Sequence, residues 1–99
     1  MILTVTDGPV GNIPPIADAG PDKTVQVNNT VTISGSGSDS DGSIIAYQWI
    51  KQSTGQVLAN TATFNFTPTG TLTKTLVLTV TDDDGATASD TMILTVTRN

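Results

Sequence analysis

The chain has 99 residues, room for one small domain with a single two-layer core and no second lobe. Its net charge is −5, with nine acidic residues, all Asp, against Lys23, Lys51, Lys74 and Arg98. Four scattered cations form no basic stripe, so nucleic-acid binding through phosphates is excluded, and an anionic membrane surface would repel the chain. With no Cys, disulfide scaffolds, thiol chemistry and Cys-type zinc sites are excluded too.

Thr supplies about one residue in five. Its branched side chain suits a half-buried pleated surface. The apolar residues recur with period two and nowhere with a helical period, so short strands are expected throughout. Thr24–Val27 opens the series, and Asn28-Asn29 turns the chain. Thr30–Gly35 follows, with Val31 and Ile33 on one face. The string SGSDSDGS reads as a loop. Ile44–Gln52 is the next strand, with Ile45, Tyr47 and Trp49 sharing a face. Val57-Leu58 forms a short strand after the turn Ser53-Thr54-Gly55. Thr61–Thr67 turns Phe64 and Phe66 to one side. Thr73–Thr81 points Leu76, Leu78 and Val80 inward. After the loop DDDG, Thr87–Thr97 closes the fold with Met92, Leu94 and Val96 inward. About seven strands, with turns every 8–12 residues, predict an all-β, Ig-like antiparallel Greek-key β-sandwich. Trp49 lies mid-strand, where such sandwiches keep a central buried Trp; the competing reading is an exposed platform for stacking sugars.

The first six residues, Met1–Thr6, recur identically as Met92–Thr97, an offset of 91 residues. That offset suits one Ig-like repeat. It implies that residues 1–11 are the last strand of a preceding repeat plus a Gly- and Pro-rich linker, and that residues 12–99 are the sandwich, one of a tandem array.

Three strings carry a family resemblance: AGPDKTV near the start, GSGSDSDGSIIAYQW, and LTVTDDDGA. Together they resemble the PKD domain, the polycystic-kidney-disease-type repeat, from about Pro14 to Thr97. The resemblance implies an Ig-like sandwich in a cell-surface or secreted protein. Such modules act as spacers, adhesion modules or substrate-association modules. Many members follow the Trp with D-F-G-D-G; here IKQSTG stands instead, nearer the branch with W-x-Q-x-S-G.

The chain has no His, Cys or Glu. Its Ser and Thr have no His to activate them, and its Asp residues fall on loops without a cleft, so no enzyme is expected. Metal chemistry has more to work with. Asp39 and Asp41, followed by Gly42, resemble the front half of a calcium loop, though no EF-hand Glu follows. In an Ig-like sandwich this loop, the DDDG loop and the incoming linker cluster at one end. Asp repulsion there would be relieved by a hard divalent cation. By resemblance to calcium-binding collagenase members, Asn12, Asp39, Asp41 and Asp83 match the ligands, with the residue used among 82–84 left open. The alternative is that these are metal-free turn residues. Asn28 and Asn65 each begin an N-x-T glycosylation tripeptide.

The function expected from these features is a non-catalytic structural or adhesion spacer on a cell surface or in a secreted protein, monomeric in isolation. Its partners would be neighbouring repeats, other extracellular proteins or polysaccharide. The alternative is a carbohydrate- or substrate-associating accessory module of a secreted hydrolase.

Overall fold

A computed structural model of the chain describes residues 13–98. The readings of residues 1–11 as a strand remnant and linker, and of Asn12 as a ligand, lie outside the described residues. Within them the chain forms nine strands: β1 Ile16–Asp18, β2 Lys23–Gln26, β3 Val31–Ser34, β4 Ser36–Ser38, β5 Ile44–Lys51, β6 Val57–Ala59, β7 Thr63–Phe66, β8 Lys74–Asp82 and β9 Thr87–Thr97. The five-stranded sheet runs β2-β9-β8-β5-β6. The pairs β1–β4 and β3–β7 complete the fold. Every pairing is antiparallel except β2–β9, which is parallel. The seven expected segments all occur. The two additional strands are β1 and β4, a pair drawn partly from the Ser- and Gly-rich string read as loop.

Alternation builds the core. On β8, Leu76, Leu78 and Val80 are fully buried, and Met92, Leu94 and Val96 of the adjacent β9 join them in the core. Ile33 closes the space from β3, with Phe64 and Phe66 of β7 packed against the cluster. Trp49 fills the centre and is fully buried. Its Nε1 donates to the Ala62 carbonyl at 2.9 Å, and its ring centroid lies 5.8 Å from that of Phe64. A sugar-stacking role for Trp49 is thereby overturned, because no face of the indole reaches solvent. Gly35 makes room for it: a Cβ there would stand 2.8 Å from Trp49 Cζ2 and 2.5 Å from Leu78 Cδ2.

One facing assignment is corrected. Ile45 does not share the inward face of Tyr47 and Trp49; it is 64% exposed. Along β5, Ile44 pairs with Asp82 and Ala46 with Thr81, so Ile45 is an extra residue opposite a single step of β8. A β-bulge of this kind shifts the side-chain alternation by one. Ile44 takes the inward place and packs against the core.

Candidate functional site

Three segments meet where the described chain begins. The β4–β5 loop carries Asp39 and Asp41, Asp82 ends β8, the β8–β9 turn carries Asp83 and Asp84, and Ile13 arrives beside them. The Ile13 backbone N–H donates to Asp41 Oδ2 at 2.9 Å. The Asp83 N–H donates to the Ser43 carbonyl at 3.0 Å, and the Ser43 N–H reaches Asp83 Oδ1 at 3.4 Å. Gly42 permits this approach, since a Cβ there would run into the Asp83 carboxylate.

Asp82 ends β8 on its inward phase and is fully buried. Its Oδ1 accepts from the backbone N–H groups of Asp84 (2.9 Å) and Ala86 (2.8 Å). These bonds shape the turn, with Gly85 at φ 89° in the left-handed region. Its Oδ2 is buried with no hydrogen-bond partner among the described residues, and so are both carboxylate oxygens of Asp39. Buried acceptors are normally satisfied, and leaving one unmade costs about 1–3 kcal/mol. Three such oxygens lie together at this end, where a positive partner would satisfy them.

One oxygen each from Asp39, Asp82 and Asp83 lie within 4.8 Å of one another, and the same holds for Asp41, Asp82 and Asp84. Asp82 belongs to both groups. Desolvation, then the neighbouring Asp41 carboxyl, pushes the Asp39 carboxyl up to about 6. Asp41 is held low, first by the Ile13 N–H and then by Asp39. Asp84 is raised by desolvation and by the neighbouring Asp83, Asp82 and Asp41.

The donor set fits a hard divalent cation. Calcium binds oxygen ligands at about 2.3–2.6 Å, so ligand atoms on opposite sides of it stand roughly 5 Å apart. All the donors are carboxylate oxygens, which suit calcium or magnesium rather than zinc or copper. Asp39, Asp82 and Asp83 are the residues that would hold it, with Asp41 and Asp84 beside them.

Of the residues singled out from the sequence, Asp39, Asp41 and Asp83 are brought together, and Asn12 lies outside the described residues. Asp82 was missed. Its signal was present in the alternation: the inward series Leu76, Leu78, Val80 continues directly to Asp82. Asn28 and Asn65 are both exposed. Asn28 stands at φ 69° in its turn, and Asn65 Oδ1 accepts from Thr32 Oγ1 at 2.9 Å.

The fold and this acidic loop cluster define an Ig-like β-sandwich module with an oxygen-rich end. A family model described as "K319L-like, PKD domain" matches residues 19–96, and the chain belongs to the PKD-domain family. The PKD1 domain of Vibrio anguillarum Epp is 26% identical, with a TM-score of 0.71; the match covers 90% of this chain and all of that one. The fibronectin(III)-like modules of Clostridium thermocellum CbhA share the fold at 20% identity and a TM-score of 0.73, covering 94% of this chain. A carbohydrate-binding-module structure from the β-sandwich superfamily, described for its promiscuous specificity, is 27% identical with a TM-score of 0.75, covering 88% of this chain. This chain spans 50% of the CbhA chain and 36% of the carbohydrate-binding-module chain. The family match and the likeness to the Epp domain support a non-catalytic module.

Proposed function

We propose that the chain is an extracellular spacer or adhesion module, one of a tandem array in a cell-surface or secreted protein, whose linker end is closed by calcium. The observation that carries the calcium reading is the buried, unpartnered Asp82 Oδ2 set beside the two unpartnered oxygens of Asp39. A cation bound there would tie the β4–β5 loop to the β8–β9 turn, and through Asp41 to the incoming linker at Ile13. A module stiffened where it joins its neighbour is what a spacer requires. Membership of the PKD family supports the extracellular location. The tandem reading is supported by the duplicated hexamer, whose second copy, Met92–Thr97, forms the last six residues of β9.

A second reading, a carbohydrate-associating accessory module, is favoured by the likeness to the carbohydrate-binding-module structure. Against it, the single Trp is fully buried, and Tyr47, Phe64 and Phe66 pack against the core. No exposed aromatic platform is thus left among the described residues, and such platforms carry most sugar stacking. A glycan array probed with the isolated chain separates the two. The spacer reading expects no glycan above background, with or without calcium. Reproducible binding of one glycan class, competed by that soluble sugar, would replace it with the accessory reading.

A further inference from the structure

Charge is sorted along the length of this module. Five of the nine Asp residues, Asp39, Asp41, Asp82, Asp83 and Asp84, lie at the end where the described chain begins. The cations lie towards the other end. Lys51 closes β5, Lys74 opens β8 and Arg98 follows β9, while Lys23 shares a register row with Lys74 across Leu94. Lys51 and Lys74 flank an open cleft of about 300 Å³ with Gln52, Ser53 and Leu72, the last 75% exposed. The Lys74 ammonium reaches a backbone carbonyl, that of Leu72, at 3.5 Å, which leaves its charge uncompensated by that contact.

We propose that this cationic cleft receives the acidic end of a second copy of the module, packed head to tail, with Lys51 and Lys74 against the exposed Asp83 and Asp84. Chain direction makes the contact sequential, because the chain arrives at the acidic end and leaves at the cationic one. At the 91-residue period of the duplicated hexamer, Ile13 of the following copy lies seven positions beyond Thr97. Seven extended residues reach at most about 25 Å, so tethered ends would be held at high effective concentration. The proposal rests on the tandem reading for this tether alone; the complementarity belongs to a single copy. Exposed ion pairs are individually weak and screened by salt, so untethered copies would meet only at high concentration and low ionic strength.

Zero-length carbodiimide coupling tests this on the full chain, because it joins a lysine to a carboxylate only on contact. Unlabelled and ¹⁵N-labelled chains are mixed at high concentration in calcium-depleted, low-salt buffer, and the products mapped by mass spectrometry. Mixed-isotope links joining Lys51 or Lys74 to Asp83 or Asp84 are expected. They should fall at least about fivefold in roughly 0.5 M NaCl, where the Debye length drops below 5 Å. Self-association measured by analytical ultracentrifugation in the same low-salt buffer should weaken to a similar extent in the Lys51→Gln, Lys74→Gln double variant, whose unaltered melting temperature would show that it folds. No mixed-isotope links, links scattered over other Asp residues, links insensitive to salt, or self-association undiminished in the double variant would overturn the contact. Any of these would leave the tandem reading standing, since flanking coding sequence with further modules decides that separately.

Discussion

Trp49→Ala should strip most of the stability margin from the chain at 25 °C and lower its melting temperature by tens of degrees. The indole is fully buried at the centre of the core, and its Nε1–H satisfies the Ala62 carbonyl. Large-to-small substitution of a core aromatic costs about 3–5 kcal/mol, through lost transfer energy and the cavity left behind. A domain of this size has roughly 5–10 kcal/mol in total, so the loss removes much of the margin. The cavity would not collapse easily. Gly35 already brings the β3–β4 backbone against the ring, and strands joined by ladder hydrogen bonds on both sides cannot close inward. Trp49→Phe keeps most of the volume and should be milder, losing one hydrogen bond and part of the contact with Phe64. Chemical denaturation followed by circular dichroism measures both. A Trp49→Ala midpoint close to that of the parent would contradict the packing described.

The second large effect concerns Asp82, where two substitutions should act in opposite directions. Asp82→Ala removes the acceptor for the Asp84 and Ala86 N–H groups and opens the turn. Stranding two backbone donors should cost about 1–3 kcal/mol with or without calcium. Asp82→Asn retains an oxygen for those donors and removes a buried charge from a cluster that repels itself. In calcium-free buffer it should be at least as stable as the parent. The parent should gain stability in calcium, about 2.7 kcal/mol at one hundred times the dissociation constant, because the ion binds only the folded form. For a domain of this length that is a rise of roughly 10–20 °C in melting temperature. Asp82→Asn should lose most of that rise. Differential scanning calorimetry of the three proteins with and without calcium measures all six states. An Asp82→Asn variant that keeps the parental calcium response would remove Asp82 from the site.

The contrast between Asp82 and Ile45 shows how far the chain is legible before it folds. Period-two alternation located the core of β8 and β9 because both strands run without interruption. Followed one step further, it also places Asp82 at the inner end of β8. The obstacle was chemical expectation: an Asp in a DDDG string reads as a turn residue, and Asp83 and Asp84 are indeed exposed. Ile45 was misplaced for a different reason. A bulge inserts one residue opposite a strand that shows no irregularity, and nothing in IIAYQW marks where the phase slips. The short β1–β4 pair was hidden likewise, because Ser-Gly-Ser carries no strand signature and pairs only where the sandwich supplies an edge. The meeting of the two acidic loops followed from topology, since in an Ig-like sandwich both lie at one end.

The central claim is that a hard cation closes the linker end through Asp39, Asp82 and Asp83. Two-dimensional ¹H–¹⁵N correlation spectra of the labelled chain, titrated with calcium and separately with magnesium, test it most directly. Saturable calcium-dependent shifts should concentrate on Ile13, on residues 39–43 and on residues 82–86, with little change around Lys51 and Lys74 at the far end. Magnesium should produce weaker shifts, because it demands a smaller and stricter octahedral shell. Calcium shifts spread evenly over the exposed acids, or no shifts at millimolar ion, would contradict the site and leave these Asp residues as the makers of two turns.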